Sequence, residues 1–147
     1  MKLMTTGPTV WVLLFCTLVL LLAGCATGPQ SGPDKRATLQ KQWGVDIVAV
    51  RTTAAGSMID FRYRVLDAEK AAALFKRKTK PYLIHQESGR VLEVPVTAKI
   101  GPLRSSDTPQ EGRVYWMFFG NKTRLVKPGD KVTVVIGDFK LENITVE

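Results

Sequence analysis

The stretch from Ser57 to Leu66 has the sequence Ser-Met-Ile-Asp-Phe-Arg-Tyr-Arg-Val-Leu. Large apolar side chains occupy every second position in it, namely Ile59, Phe61, Tyr63 and Val65. Charged side chains fill the positions between them, namely Asp60, Arg62 and Arg64. Because successive side chains of a β-strand point to opposite faces, this period of two predicts a strand with one buried and one solvent-exposed face.

Similar short segments, separated by turn residues, lie on both sides of this strand. The segment Gly44–Thr53 precedes it across Ala54-Ala55-Gly56, and the two segments predict a β-hairpin. Two more hairpins are predicted on the same grounds: Tyr82–Ile84 with Arg90–Val94 around Gly89, and Lys131–Ile136 with Phe139–Val146 around Gly137-Asp138. The chain therefore favours sheets made of antiparallel neighbours.

Three further segments fill the chain between these hairpins. Val96–Ile100 is expected to continue the preceding strand past Pro95, and Gly101–Gly112 is expected to be a long polar loop. Val114–Phe119 is apolar at every position, which is typical of a strand that is buried on both faces or packs beneath loops. It is therefore predicted to be a central strand.

One short helix is predicted after the charged strand. The carboxylate of Asp67 can accept hydrogen bonds from the first amides of a helix, and Ala68–Phe75 consists mostly of good helix formers. Pro81 prevents the helix from extending past Lys80. The helix is therefore expected near residues 67–76.

Together these elements predict an all-β fold, a two-sheet sandwich of about seven strands with one short helix. The segment Val126–Ile136, with the sequence Val-Lys-Pro-Gly-Asp-Lys-Val-Thr-Val-Val-Ile, resembles the closing strands of immunoglobulin-like extracytoplasmic domains of bacterial proteins. The resemblance implies an immunoglobulin-like sandwich. The chain departs from antibody-type domains in having no inter-sheet cysteine pair.

The N-terminal region contains an apolar run, Val10–Leu22, which is too short for a typical membrane-spanning helix. It ends in Leu22-Ala23-Gly24-Cys25, which resembles the lipobox of bacterial lipoproteins. The resemblance implies that residues 1–24 are a signal peptide and that Cys25 carries a diacylglycerol. It also implies an outer-membrane location at the periplasmic face, rather than the inner membrane, since no Asp follows Cys25.

The resulting domain organisation has three parts. Residues 25–42 contain Gly28-Pro29, Ser31-Gly32-Pro33 and the charged residues Asp34, Lys35 and Arg36 without an apolar period, so a flexible tether is predicted there, with Ala37–Gln42 briefly helical. Residues 43–147 are predicted to form the β-sandwich domain. Its core must be stable without a disulfide, because Cys25 is the only cysteine left after the signal peptide.

The chain is basic, with a formal net charge of +8. Basic proteins favour anionic partners. For an exported chain these are lipid head groups, acidic envelope polymers or an envelope protein, and nucleic acid is excluded. The candidate contacts for an anionic partner are Lys76, Arg77, Lys78 and Lys80. Arg62, Arg64 and the loop at residues 101–112 are further candidates, and each of these features is equally consistent with plain solvated surface.

The sequence predicts no catalytic residue, no metal site and no cofactor. The only histidine, His85, is expected at the surface beside Glu87-Ser88-Gly89. Ser88 and His85 could form a nucleophile–base pair, but no third member is evident. A metal site would need His85 together with Met58 or Met117, which is fewer ligands than a stable site generally has.

These observations predict a noncatalytic binding or assembly module of the cell envelope, held at the membrane through Cys25. The alternative is an accessory factor, for metal handling or maturation, that serves an exported metalloenzyme or redox system. In that case His85 and a methionine would hold the metal.

Overall fold

Two antiparallel sheets and two short helical segments account for most of the residues that the computed structural model describes, 33–105 and 108–147. The elements are, in chain order, α1 (Pro33–Trp43), β1 (Val45–Thr53), β2 (Met58–Val65), α2 (Ala68–Ala71), a 3-10 helix (Ala72–Phe75), β3 (Tyr82–His85), β4 (Val91–Glu93), β5 (Val96–Thr97), β6 (Gly101–Pro102), β7 (Val114–Gly120), β8 (Lys131–Ile136) and β9 (Phe139–Thr145).

Strand order identifies the architecture. One sheet has the order β1-β2-β7 and the other has the order β4-β3-β8-β9, while β5 and β6 form a separate pair. This corresponds to strands A-B-E and C′-C-F-G of an immunoglobulin-like sandwich. The predicted all-β sandwich of about seven strands is confirmed, and so are its three predicted hairpins.

The core lies between the two sheets. The predicted buried face of β2 is confirmed. It consists of Ile59, Phe61, Tyr63 and Val65, which are all buried. They share one apolar cluster with residues of the other sheet, including Leu83, Val132, Val134 and Phe139. Each fully buried side chain of this size contributes roughly 1.5–3 kcal/mol, so this cluster is the main source of stability in a domain without a disulfide.

The prediction that Val114–Phe119 is a central strand is wrong, because β2 is the central strand and β7 lies outside it. Tyr115, Met117 and Phe119 are buried, while Trp116 and Phe118 lie on the outer face with their ring centroids 5.1 Å apart. The run is apolar throughout because this outer pair packs together, not because a second layer covers it.

The free edge of β7 is paired by residues that were expected to be loop. The amide of Phe118 donates to Leu103 O (2.9 Å), and the amide of Ser105 donates to Trp116 O (2.8 Å). The prediction of an irregular loop is therefore wrong for residues 101–105. The unpaired backbone groups of an edge strand explain this, since they offer hydrogen bonds to any extended segment nearby.

The prediction that Val96–Ile100 continues the strand before it is also wrong. β5 covers only Val96–Thr97, and it pairs with Gly101–Pro102 instead of extending β4. Pro95 has no amide hydrogen to donate to a ladder. Its carbonyl accepts from the amide of Leu103 (2.9 Å), which turns the chain toward β7.

The predicted short helix is confirmed as α2 followed by the 3-10 helix. The side chain of Asp67 accepts from the amide of Lys70 at 3.1 Å, as an N-cap residue does. Ala71 and Leu74 are buried against the core. The exposed residues Lys76–Lys78 follow directly and lead into β3.

Helix α1 begins earlier than the helical segment predicted at Ala37–Gln42, so the tether predicted over residues 25–42 differs from the structure from Pro33 onward. Leu39 is buried, and Trp43 packs edge-to-face on Phe139 with ring centroids 5.5 Å apart. These two contacts, together with the ion pair of Arg36 with Asp46, hold a helix that has no apolar period of its own. The predicted signal peptide and Cys25 lie outside the described residues. Within the described part of the chain, no helix is long and apolar enough to span a membrane.

Candidate functional site

A groove with a volume of about 640 Å³ lies on the outer face of the β3–β4 pair. We call it the basic groove. Its apolar lining includes Pro81, Tyr82, Ile84, Val91, Val94, Val96 and Pro102, and its cations are Arg77, Lys80 and Arg104. The groove therefore combines an apolar surface with several positive charges.

The floor of the basic groove follows from the alternation of β3. Leu83 and His85 point into the sandwich, so Tyr82 and Ile84 face outward. Across the hairpin, Tyr82 pairs with Glu93 and Ile84 pairs with Val91. Among the described residues that line the groove, Glu93 is the acidic one.

Arg104 holds one end of the basic groove together. Its Nη1 donates to the carbonyl of Thr79 (3.2 Å), and its Nη2 donates to the carbonyl of Lys76 (3.1 Å). The amide of Thr79 also donates to Lys76 O (3.0 Å), which closes the turn. One guanidinium therefore positions the turn that carries the basic residues.

The four predicted contact residues lie on that turn, and all four are exposed. Arg77 and Lys80 line the basic groove, whereas Lys76 and Lys78 are not among its lining residues. Arg104 is not among the residues that the sequence singles out by itself. The only sequence signal for it is its position in the segment 101–112, which was a candidate contact as a whole.

Arg62 and Arg64, the other predicted candidates, lie on the outer face of the three-stranded sheet. The Nε of Arg62 donates to the buried carboxylate of Asp60 at 2.9 Å, and Arg51 contacts the same carboxylate at 3.3 Å. Arg62 therefore forms an ion pair within the domain, with Asp60. Arg64 is exposed and opposite Val114 in the register.

A second hollow, of about 540 Å³, shares Arg77, Pro102 and Arg104 with the basic groove. Ile100 and Trp116 are part of its lining. Ile100 is 76% exposed, and Val96, on the groove side, is 74% exposed. Exposed apolar side chains therefore lie on both sides of the shared cations Arg77 and Arg104.

His85 is buried, with 3% of its surface exposed, so the prediction of a surface position is wrong. The reason is the period of β3, which places His85 on the same inward face as Leu83. Its Nδ1 lies 2.8 Å from the Oγ of Ser88, and its Nε2 lies 3.4 Å from Oδ2 of Asp130. Asp130, from the turn before β8, is therefore the third polar residue in contact with the His85–Ser88 pair. The sequence does not reveal it.

The methionines expected beside His85 belong to the other sheet. Met58 begins β2 and Met117 lies in β7, where it pairs with Phe61. Two carboxylates lie near His85, those of Glu87 and Asp130.

No protein-family model, no curated protein and no solved structure matches this chain.

Proposed function

We propose that this chain is a lipoprotein of the bacterial cell envelope whose β-sandwich is a noncatalytic binding module for anionic lipid head groups. The observation that carries the proposal is the basic groove, where Arg77, Lys80 and Arg104 adjoin exposed apolar side chains. Cations of this kind attract phosphate groups, and Val96 and Ile100 can enter the apolar part of a lipid surface.

The electrostatic attraction between the groove cations and a membrane is too weak to hold the domain there without an anchor. Each basic residue near an anionic membrane contributes about 1 kcal/mol, so three contribute about 3 kcal/mol. A dissociation constant of 1 mM needs about 4 kcal/mol, so the groove binds weakly on its own. A tether to the same membrane raises the local concentration of head groups and compensates for this weakness.

The proposed anchor is Cys25 in Leu22-Ala23-Gly24-Cys25. Helix α1 starts at Pro33, so only residues 26–32 separate it from the proposed acylation site. A segment of this length spans at most roughly 25 Å when fully extended. The domain would therefore stay close to the membrane surface, at the periplasmic face of the outer membrane.

Vesicle sedimentation tests the basic groove. The chain from residue 32 contains all the core residues, which lie between Leu39 and Val146. It should bind vesicles with phosphatidylglycerol at low salt and neutral phosphatidylcholine vesicles much less. Arg77→Glu with Lys80→Glu should remove most of this binding, because it reverses two of the three groove charges.

The matched control is Lys122→Glu with Lys127→Glu, which makes the same charge change at two exposed positions outside the basic groove. It should retain most of the binding. Equal losses in both variants would mean that only net charge matters, and binding that ignores lipid charge would refute the proposal.

Lipidation is tested separately from the groove. Cells that express the full chain are labelled with palmitate, and incorporation should be lost in Cys25→Ser but kept in Cys16→Ser. Incorporation that survives Cys25→Ser would exclude Cys25 as the anchor and leave the vesicle result unaffected.

A further inference from the structure

Among the residues that the structure describes, only one of the two ring nitrogens of the buried His85 has a hydrogen-bond partner. Nδ1 contacts Ser88 Oγ at 2.8 Å, whereas the buried Nε2 has no partner in that part of the chain. Asp130 Oδ2 is 3.4 Å from Nε2, but their geometry does not form an N–H···O bond. A buried polar atom without a partner is costly, and native structures rarely leave one unexplained.

Either tautomer of the ring allows the contact with Ser88, because the hydroxyl can donate or accept. In the tautomer with the proton on Nδ1, Nδ1–H donates to Ser88 Oγ and the lone pair of Nε2 faces the carboxylate of Asp130. Two acceptors then face each other, which is unfavourable unless a cation lies between them. Metal-binding histidines commonly donate their second ring N–H to a neighbouring oxygen in this way.

We propose that His85 Nε2 and the carboxylates of Glu87 and Asp130 bind a divalent cation of the zinc type. The ligand atoms of these three residues all lie within 4.8 Å of one another. In a tetrahedral zinc site with ligand distances of 2.0–2.2 Å, neighbouring ligand atoms are roughly 3.3 Å apart. The Nε2–Oδ2 separation of 3.4 Å is already close to that value.

Each ligand is placed by a local feature of the fold. Gly89 has a φ of +66°, and its amide donates to His85 O (2.8 Å), so the chain after β3 turns tightly and brings Glu87 and Ser88 back to the ring. Asp130 is fixed from the other side, because its Oδ2 accepts from the amide of Lys127 (2.8 Å). The pairing of β3 with β8 brings the two turns together.

The ligand set also limits the chemistry. One imidazole and two carboxylates suit Zn²⁺ better than Ca²⁺, which prefers oxygen ligands only, or Cu(I), which prefers sulfur. Three protein ligands leave one coordination position for water. Lys131 lines the same hollow, of about 410 Å³, and its positive charge should weaken binding of a cation.

Metal titration of the full chain in a neutral detergent tests this site. Cys16 and Cys25 are both replaced by Ser so that thiols do not bind metal. Calorimetry with Zn²⁺ should give one site per chain, and Co²⁺ should give the visible absorption of a four- or five-coordinate ion. Asp130→Asn and Glu87→Gln should each weaken Zn²⁺ binding by tenfold or more, and Lys131→Gln should strengthen it.

The control is Asp138→Asn, which removes a carboxylate from the exposed β8–β9 turn and should leave the affinity unchanged. His85→Gln should abolish binding, and its circular dichroism shows whether it is folded. Glu87 is exposed, so Glu87→Gln remains informative if His85→Gln is unfolded. Absence of stoichiometric binding, or equal affinity in Glu87→Gln, Asp130→Asn and the unsubstituted chain, would overturn the proposal.

Discussion

The hydroxyl of Tyr115 donates a hydrogen bond of 2.9 Å to the carbonyl of Thr108 and so ties the segment before β7 to the strand itself. The same oxygen accepts from the amide of Gln110 at 2.9 Å. The ring packs edge-to-face on Phe75 with a centroid distance of 4.7 Å, which connects it to the 3-10 helix. Tyr115 therefore holds two segments in place at the end of the sandwich.

Tyr115→Phe should destabilise the domain by about 1 kcal/mol. The substitution keeps the packing and removes both hydrogen bonds, but Thr108 and Gln110 are exposed, so water replaces part of what is lost. Urea unfolding measures the free energy, and hydrogen exchange should be faster at the Gln110 amide. Tyr82→Phe removes the same atom from a half-buried ring and is the matched control. Unchanged exchange at Gln110 would contradict the assigned role.

Asn121→Ala should be much more damaging, by about 3 kcal/mol or more, because several buried polar groups lose their partners together. Asn121 is 2% exposed, and its Nδ2 donates to Gly56 O and Val126 O, each at 2.8 Å. Its Oδ1 accepts from the amide of Val126 at 3.1 Å. The residue connects the β1–β2 turn and the end of β7 to the segment before β8.

The change is measured by thermal and urea unfolding. Asn143→Gly is a control at an exposed asparagine whose φ of +57° glycine readily adopts, and it should change stability by less than about 1 kcal/mol. Equal effects at Asn121 and Asn143 would show that the three hydrogen bonds contribute little.

How far the sequence predicts the structure depends on how local each feature is. The alternation around Phe61 predicts β2, and Gly89 and Gly137 mark two hairpin turns correctly, because strand period and turn conformation are local properties. The composition of β7 does not reveal its place in the sheet. Trp116 and Phe118 make its outer face as apolar as its inner face.

The candidate sites depend on contacts between distant residues, which explains why the sequence predicts only fragments of them. Arg104 acts on the carbonyl of Lys76, 28 residues earlier in the chain. Asp130 reaches His85 only because β3 pairs with β8. Two parts have a local signal: the basic run that supplies Arg77 and Lys80, and the burial of His85, which follows Leu83 by two positions in a strand.

Lowering the pH should loosen α1 from the sheet. Arg36 forms a two-pronged ion pair with Asp46, and its hydrogen bonds hold the pKa of that carboxyl below the ordinary value of about 3.9. A carboxyl with a lowered pKa in the folded state contributes stability above its unfolded pKa. This contribution is lost as the pH falls through the folded pKa, below about 4.

Fluorescence of Trp43, which lies at the end of α1, reports this change. The chain from residue 32 with Trp116→Phe has Trp43 as its single tryptophan. Its emission should shift to longer wavelength in acid before global unfolding, and Asp46→Asn should show the shifted emission at neutral pH. Asp138→Asn should behave like the parent. An acid transition that survives unchanged in Asp46→Asn would exclude this ion pair as the cause.

Arg104→Met should reduce the order of the 76–80 turn and weaken binding to anionic vesicles. The substitution removes a charge and also the donors to Lys76 O and Thr79 O. Arg104→Lys separates the two effects, because it keeps the charge but cannot make the same pair of hydrogen bonds. Faster hydrogen exchange at the Thr79 amide in both variants, with vesicle binding partly restored in Arg104→Lys, is the expected pattern. Normal exchange in Arg104→Met would show that the guanidinium does not hold the turn.

The turn between β1 and β2 offers a way to stabilise the domain. Ala54 and Ala55 have φ values of +50° and +52°, and Gly56 follows with +80°. Left-handed backbone costs a non-glycine residue roughly 1–2 kcal/mol, whereas Asn and Gly adopt it readily. Ala54→Asn with Ala55→Gly should therefore raise the free energy of unfolding by about 1 kcal/mol, after allowing for the greater freedom of glycine in the unfolded chain.

Ala49→Gly in β1 is the control for this change, since the same type of substitution in a strand interior should lower stability. Urea unfolding of the two variants should consequently give shifts of opposite sign. The amide of Gly56 donates to Thr53 O (3.0 Å) and closes the turn. Hydrogen exchange at this amide should be slower in the stabilised variant. A loss of stability in the Asn-Gly variant would contradict the positive φ values at these two positions. At negative φ the alanines carry no strain, so glycine would only add its entropic cost.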